Sequence, residues 1–147
     1  MLSGLSDFDA TVQALDTPDK LADWMRKNLY YRADVGVDSW NPPEKTFREG
    51  RGDCDDYARF AAYVLNKHGG YNAKLLGIQP ERGEWHMTCL FREKDGTYST
   101  MCNKGYKRHF TNRIEDVIRH FNRGSVKYKI YDASGFYLAS GKVDEHQ

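Results

Sequence analysis

The stretch of sequence that decides the fold is residues 49–58, which read Glu-Gly-Arg-Gly-Asp-Cys-Asp-Asp-Tyr-Ala. The two glycines let the backbone turn sharply just before Cys54. Apolar residues then recur at helical spacing as far as His68, where two further glycines are typical of a helix end. The pattern therefore predicts a helix over residues 54–68 that begins with Cys54.

Cys54 is a candidate nucleophile because of this position. The unpaired N–H groups at a helix start favour the thiolate, and they can also bind an oxyanion. The neighbours Asp53, Asp55 and Asp56 oppose this effect, since their charges raise the thiol pKa unless they cap the helix or bind a cation. The alternative is a buried structural cysteine.

The rest of the chain predicts helices first and strands later. Residues 5–15 have apolar positions at helical spacing, and Thr17 followed by Pro18 is typical of a second helix start. Residues 30–43 show no clear period. Strands are predicted over residues 73–78, 85–92 and 98–103, a short helix over 114–121, and a closing hairpin over 126–131 and 136–139. We therefore expect an α+β fold in one domain, residues 1–147.

Composition narrows the class of protein. The formal net charge is +1, from 22 basic and 21 acidic side chains, so we expect neither a nucleic-acid nor a membrane partner. The first seven residues lack a basic segment followed by an apolar one, which favours a cytoplasmic location. The three cysteines do not make a full disulfide framework, and no Cys or His spacing indicates structural zinc.

Residues 40–44 (Trp-Asn-Pro-Pro-Glu) and 50–58 resemble the bacterial transglutaminase-like cysteine proteinases. Those proteins have a Trp-x-x-Pro-type approach, then Gly-x-Gly-Asp-Cys-x-Asp-Tyr-Ala at the start of a helix. The resemblance covers roughly residues 24–104. It implies a papain-like core, in which N-terminal helices and the nucleophile-bearing helix pack on an antiparallel sheet. It also implies that Cys54 is the nucleophile and that a His and an Asp follow on two neighbouring strands.

His86 is the candidate base. It lies 32 residues after Cys54, at the beginning of a predicted strand, where the resembling proteins have their catalytic His. An imidazole next to a thiol accepts its proton and later protonates the leaving amine. The alternative is a half-buried histidine without a catalytic role.

The third member of the triad departs from the family pattern. Residues 99–104 contain no Asp, and either Cys102 or Asn103 falls at the expected place. A two-residue turn at residues 95–96 would pair Cys89 with Cys102 and put Asn103 on the same sheet face as His86. We therefore predict Asn103 as the orienter of the imidazole, and a shift of register by one residue would favour Cys102 instead.

Other candidate residues follow from the resemblance. Trp40, upstream of the nucleophile, is a candidate for lining the cleft or supporting the oxyanion, although a core tryptophan fits as well. Some resembling proteinases bind calcium through acids that flank the Cys, which makes Asp53 and Asp55 candidate ligands. Two carboxylates do not complete a calcium site, and helix capping is the alternative role.

The sequence thus predicts a cysteine-nucleophile enzyme that attacks amide bonds of a protein or peptide substrate, without a required cofactor. Water as acceptor would make it a peptidase or amidase, and a lysine amine would make it a cross-linking transglutaminase. The closer resemblance to the proteinases favours hydrolysis. The missing Asp favours another class, a catalytically inactive transglutaminase-like domain that binds a partner or builds an assembly.

Overall fold

The computed structural model describes residues 6–33 and 41–144. The helices in these ranges are α1 (Asp7–Ala14), α2 (Pro18–Asn28), α3 (Pro43–Glu49), α4 (Cys54–His68) and α5 (Ile114–Phe121). The strands are β1 (Tyr30–Tyr31), β2 (Arg51–Gly52), β3 (Lys74–Pro80), β4 (His86–Arg92), β5 (Tyr98–Cys102), β6 (Gly105–Arg108), β7 (Val126–Tyr131) and β8 (Tyr137–Val143). The fold is α+β, as predicted, and every helix in the described ranges is too short or too polar to cross a membrane.

The helix starts follow from local side-chain chemistry. Ser6 accepts a hydrogen bond from a backbone N–H in the first turn of α1, and Thr17 does the same for α2. Such caps satisfy N–H groups that have no partner within the helix. The sequence did not predict α3, which begins at Pro43 without a side-chain cap and is only 7 residues long. A helix this short has too few turns to show a periodic pattern.

Six strands form one antiparallel sheet in the order β6-β5-β4-β3-β7-β8. The C-terminal strands β7 and β8 extend this sheet beyond β3. Strands β1 and β2 form a separate parallel pair, in which Tyr30 lies opposite Arg51 and Tyr31 opposite Gly52. This small pair brings the end of α2 next to the approach to Cys54.

The large sheet has a helix on each face. Phe91 and Met101 belong to the apolar cluster that includes α4. Leu90, one position away from Phe91, packs with Val117 and Ile118 of α5 in the second cluster. Successive strand residues point to opposite faces, so the two clusters divide β4 between them. Each such buried side chain contributes roughly 1.5–3 kcal/mol through removal from water.

The register between β4 and β5 differs by one residue from the prediction. Cys89 lies opposite Met101, not Cys102. Continued by one residue, this register puts Cys102 opposite Thr88 and leaves Asn103 beyond the end of β5. Cys89 and Cys102 therefore point to opposite faces of the sheet, and the predicted facing pair is wrong. All three cysteines are free thiols.

The turn between β4 and β5 explains this error. The Gly96 N–H donates to the Glu93 carbonyl at 2.9 Å, and the Glu93 N–H donates to the Thr97 carbonyl at 2.8 Å. Gly96 has φ of 88°, so it follows a type I turn in the left-handed conformation. The loop between Glu93 and Thr97 therefore contains three residues, whereas the prediction assumed two.

Candidate active site

The approach to Cys54 is built from two glycines with different roles. Gly50 ends α3 with φ of 69°, a left-handed conformation that side chains disfavour. Gly52 has no space for a side chain, because a Cβ atom there would lie 2.5 Å from the Cβ atom of Asp56. The first glycine of the Gly-x-Gly motif is thus required by its backbone conformation, and the second is required by the close contact with Asp56.

Two of the acidic residues hold the start of α4. The Asp56 N–H donates to Oδ1 of Asp53, and the Asp53 N–H donates to Oδ2 of Asp56, each at 3.1 Å. The other carboxylate oxygen of Asp56, Oδ1, accepts from the Asn41 N–H at 3.3 Å. Asp56 is 1% exposed. The sequence offered helix capping as one role for Asp56, and it missed the hydrogen bond that joins residue 41 to the helix start.

The Cys54 thiol is protonated at rest. Burial raises its pKa to about 12, the Met87 N–H partly opposes this, and the charges of Asp55 and Asp53 add to the rise. The thiol donates a hydrogen bond to Oδ1 of Asp55, with 3.6 Å between sulfur and oxygen. The expected stabilisation of a thiolate by the helix start is therefore outweighed in the resting protein.

The backbone of His86 lies next to the nucleophile. His86 begins β4, and the N–H of the following residue, Met87, is the one directed at the Cys54 sulfur. The imidazole itself lies on the α5 face of β4, not on the α4 face that holds Cys54, and packs near Phe121 with 6.0 Å between ring centroids. Burial lowers the pKa of His86, and the positive charge of Lys104 lowers it further, so the ring is neutral. Its Nε2 atom is buried and has no hydrogen-bond partner among residues 6–33 and 41–144.

Asn103 lies in the turn between β5 and β6. Its Oδ1 atom is also buried without a hydrogen-bond partner. The neighbouring Cys102 sulfur accepts from the Lys104 N–H at 3.4 Å. Within the described part of the chain, no hydrogen bond links Cys54, His86 and Asn103 to one another. The register that favoured Asn103 over Cys102 is wrong, so the choice between them now depends on their chemistry.

The remaining predicted site residues have separate outcomes. Trp40 lies outside the described residues. One Asp53 oxygen caps α4, and one Asp55 oxygen accepts from the thiol, so calcium binding by these two residues stays a prediction. Among residues 6–33 and 41–144, no group of three or more His, Cys, Asp or Glu side chains is placed to hold a metal.

Tyr31 is a residue of this site that the sequence did not indicate. Its pairing with Gly52 brings it close to Cys54, and its ring lies 6.5 Å from that of Tyr57, one turn into α4. The pKa of the Tyr31 phenol is raised, first by burial and then by its proximity to Cys54, whose thiolate form would repel the phenolate. Residues 30–43 have no periodic pattern, so only the pairing of β1 with β2 could reveal this contact.

Comparison with known protein families gives a match over more than half of the chain. The family model of the transglutaminase-like superfamily matches residues 8–86, from the first helix to the histidine that begins β4. No curated protein matches the chain. The matched range contains both Cys54 and His86 and stops before Asn103.

Proposed function

This chain belongs to the transglutaminase-like superfamily, and we propose that it is a cysteine acyl-transfer enzyme that hydrolyses amide bonds, as a peptidase or amidase. The observation that carries this proposal is that the start of β4 lies next to the Cys54 sulfur at the start of α4. The start of α4 supplies Cys54, and the start of β4 brings the residue after His86 into contact with its sulfur. The substrate class is a protein or peptide.

The protonation states suggest how the reaction begins. Both Cys54 and His86 are neutral at rest, and the imidazole packs against Phe121 on the α5 face. The proposed reaction therefore requires the ring to turn toward the sulfur, where it accepts the thiol proton as the sulfur attacks the carbonyl carbon. The nucleophile is thus activated during the attack, without a preformed ion pair. A new carbon–sulfur bond forms, and the carbonyl oxygen takes up negative charge.

The start of α4 is the proposed site for that oxyanion. The Cys54 N–H occupies the first helical position and forms no hydrogen bond with another described residue. Such a fixed donor stabilises the negative charge that develops on the oxygen. The carbon–nitrogen bond then breaks, and the imidazolium gives its proton to the departing amine. Water attacks the thioester, again with His86 accepting the proton.

Asn103 remains our candidate for orienting the imidazole. An amide oxygen is a good hydrogen-bond acceptor, whereas a neutral thiol such as that of Cys102 is a weak one. Nε2 of His86 is a donor when it carries the ring proton, Oδ1 of Asn103 is an acceptor, and neither has a hydrogen-bond partner among the described residues. Buried polar atoms without partners are rare, and a catalytic role is one recognised reason for them. We propose that they approach each other when substrate binds.

The test is acylation of Cys54 by p-nitrophenyl acetate, a small ester that needs no specific binding site. We expect rapid release of p-nitrophenol together with a single added acetyl group on Cys54, measured by peptide mass spectrometry. The Cys54→Ala variant is expected to show neither. The Cys89→Ala variant is the matched control, since Cys89 is a buried thiol elsewhere in the core.

The opposite result would change the assigned class. Acetylation of Cys54 no faster than that of an unfolded cysteine peptide would overturn the enzymatic proposal and favour an inactive binding or assembly domain. If acetylated Cys54 accumulates in water but is cleared by a lysine analogue such as n-butylamine, the enzyme is a cross-linking transglutaminase instead of a hydrolase.

A further inference from the structure

A groove lies beside the proposed nucleophile, between α2, β1 and the turn that joins β5 to β6. Its volume is about 610 Å³. The side chains that line it include Met25, Leu29, Tyr30, Tyr31, Tyr57 and Met101. This volume exceeds what one side chain occupies, so the groove can hold a short segment of another molecule.

The groove adjoins Cys54 through two of its tyrosines. Tyr31 lies opposite Gly52, two residues before the nucleophile, and Tyr57 lies one helical turn after it. The thiolate form of Cys54 would raise the pKa of the Tyr31 phenol, which supports the same proximity. A substrate whose carbonyl reaches the sulfur therefore has neighbouring residues within reach of the groove.

Apolar and aromatic side chains form much of the lining. Met25, Leu29 and Met101 are almost fully buried and form part of its lining, at 3%, 6% and 1% exposure. Tyr31, in contrast, keeps half of its surface exposed. Removing apolar surface from water is the main source of binding free energy for such a surface, and aromatic rings also favour other aromatic rings.

The charges at the groove disfavour a cationic side chain. Asp23, the acidic residue in the lining, already forms ion pairs with Arg26 at 2.7 Å and with Lys27 at 2.9 Å. Lys104 also lines the groove, and its ammonium group forms no ion pair with a described residue. The charged side chains of the lining, Asp23, Arg26 and Lys104, therefore sum to +1, and Lys104 repels a lysine or arginine side chain at its end of the groove.

We infer that this groove is a substrate subsite that selects a peptide with an aromatic or large aliphatic side chain at one of the two residues preceding the attacked carbonyl. This inference rests on the proposed acyl-transfer function of Cys54. Tyr31 acts here as a specificity residue, because it pairs with Gly52 near the nucleophile and also lines the groove.

The experiment compares four p-nitrophenyl esters on the full chain: acetyl-Phe-Gly, acetyl-Gly-Phe, acetyl-Lys-Gly and acetyl-Gly-Gly. The second-order rate of Cys54 acylation is measured by mass spectrometry. We expect at least one Phe ester to react about tenfold or more faster than the Gly-Gly ester, since burial of a Phe side chain is worth at least that factor. The Lys ester is expected to react no faster than the Gly-Gly ester.

Variants locate the selectivity. Tyr31→Ala is expected to lower the Phe preference by about threefold or more, whereas Tyr31→Phe keeps the ring and the preference. Tyr137→Ala removes an exposed tyrosine from β8 and is expected to change nothing. Each rate is divided by the rate of the same variant with p-nitrophenyl acetate, which removes any effect of the substitution on the reactivity of the Cys54 thiol.

The outcomes separate the two proposals. Equal rates for the four esters, with Cys54 still acetylated by p-nitrophenyl acetate, would overturn the proposed subsite but not the proposed acyl-transfer function. A preference for Phe that Tyr31→Ala does not alter would also overturn it, and so would a preference for the Lys ester. Failure of every ester, including p-nitrophenyl acetate, would count against the acyl-transfer function itself.

Discussion

The two halves of the proposed catalytic pair differ in how completely they are held. At the start of α4, the backbone N–H groups of Asp53 and Asp56 are both bonded, and Asp56 also fastens residue 41. At the start of β4, the Nε2 atom of His86 is buried without a partner. Cys54 is therefore held by the hydrogen bonds of its own loop and helix. His86, in contrast, has a ring nitrogen without a hydrogen-bond partner among the described residues.

This difference shows which parts of the site tolerate change. A substitution near Cys54 disturbs a network of short-range hydrogen bonds and is expected to affect folding. A substitution at His86 removes an unpaired polar atom and is expected to affect chemistry far more than stability. The four predictions below test this contrast.

The largest effect is expected for His86→Ala. Loss of a general base lowers rates by roughly 10²–10⁴-fold, and we expect that loss in the acylation of Cys54 by p-nitrophenyl acetate. The melting temperature should change little, since Nε2 has no partner to lose. His120→Ala, which removes an exposed histidine from α5, is the control. Equal rates for the two variants would remove His86 from the mechanism.

Gly52→Ala is expected to destabilise the fold. The new methyl group would lie 2.5 Å from the Cβ atom of Asp56. Overpacking of this kind costs roughly 1–3 kcal/mol in the free energy of unfolding, measured by urea denaturation. Gly124→Ala is the control, because its nearest contact is the Asn122 side chain at 3.2 Å, which can move. Equal stability of the two variants would show that α4 does not depend on this close contact.

The variants Asn103→Ala and Cys102→Ala test which residue orients the imidazole of His86. If the Asn103 amide orients the imidazole, its loss lowers the acylation rate by about tenfold, which is the low end for groups that act through a catalytic residue. Cys102→Ala should then retain the rate of the wild type, because its sulfur bonds to the Lys104 N–H. The reverse order of rates would identify Cys102 as the orienter, as the observed register allows.

The smallest effect concerns pH. Because the pKa of Cys54 is raised to about 12, its alkylation by iodoacetamide should increase up to pH 10 without a plateau. Asp55→Asn removes one negative charge near the sulfur, which lowers the thiol pKa and raises the rate at pH 8 by roughly threefold. Asp144→Asn, a substitution at an exposed position, is the control. A plateau below pH 7 would instead indicate a preformed thiolate.

Much of the local structure could be predicted from the sequence. The helix over residues 54–68 and the helix over 114–121 have the predicted bounds. In both helices, the periodic apolar positions and the residues at the ends predict where the helix begins and ends. The loop at residues 133–135 also lies between the predicted final strands. These features depend on contacts within a few residues, which a single sequence displays directly.

The register of β4 and β5 could not be predicted in the same way. Asp95-Gly96 fits both a two-residue and a three-residue loop, and the difference of one residue moves every side chain of β5 to the other face. The choice of Asn103 depended on that count. Tyr31 was missed for a related reason, since its place beside Cys54 comes from the pairing of β1 with β2.

The sequence by itself determined the family, the α+β class, and the position of Cys54 at the first turn of a capped helix. It did so because the Gly-x-Gly-Asp-Cys-x-Asp motif acts through its own backbone and side chains. Only the tertiary structure decided the protonation of the thiol, the neighbours of His86 and the groove beside Tyr31. Those properties depend on burial and on charges brought together from distant segments, and no local pattern in the chain specifies them.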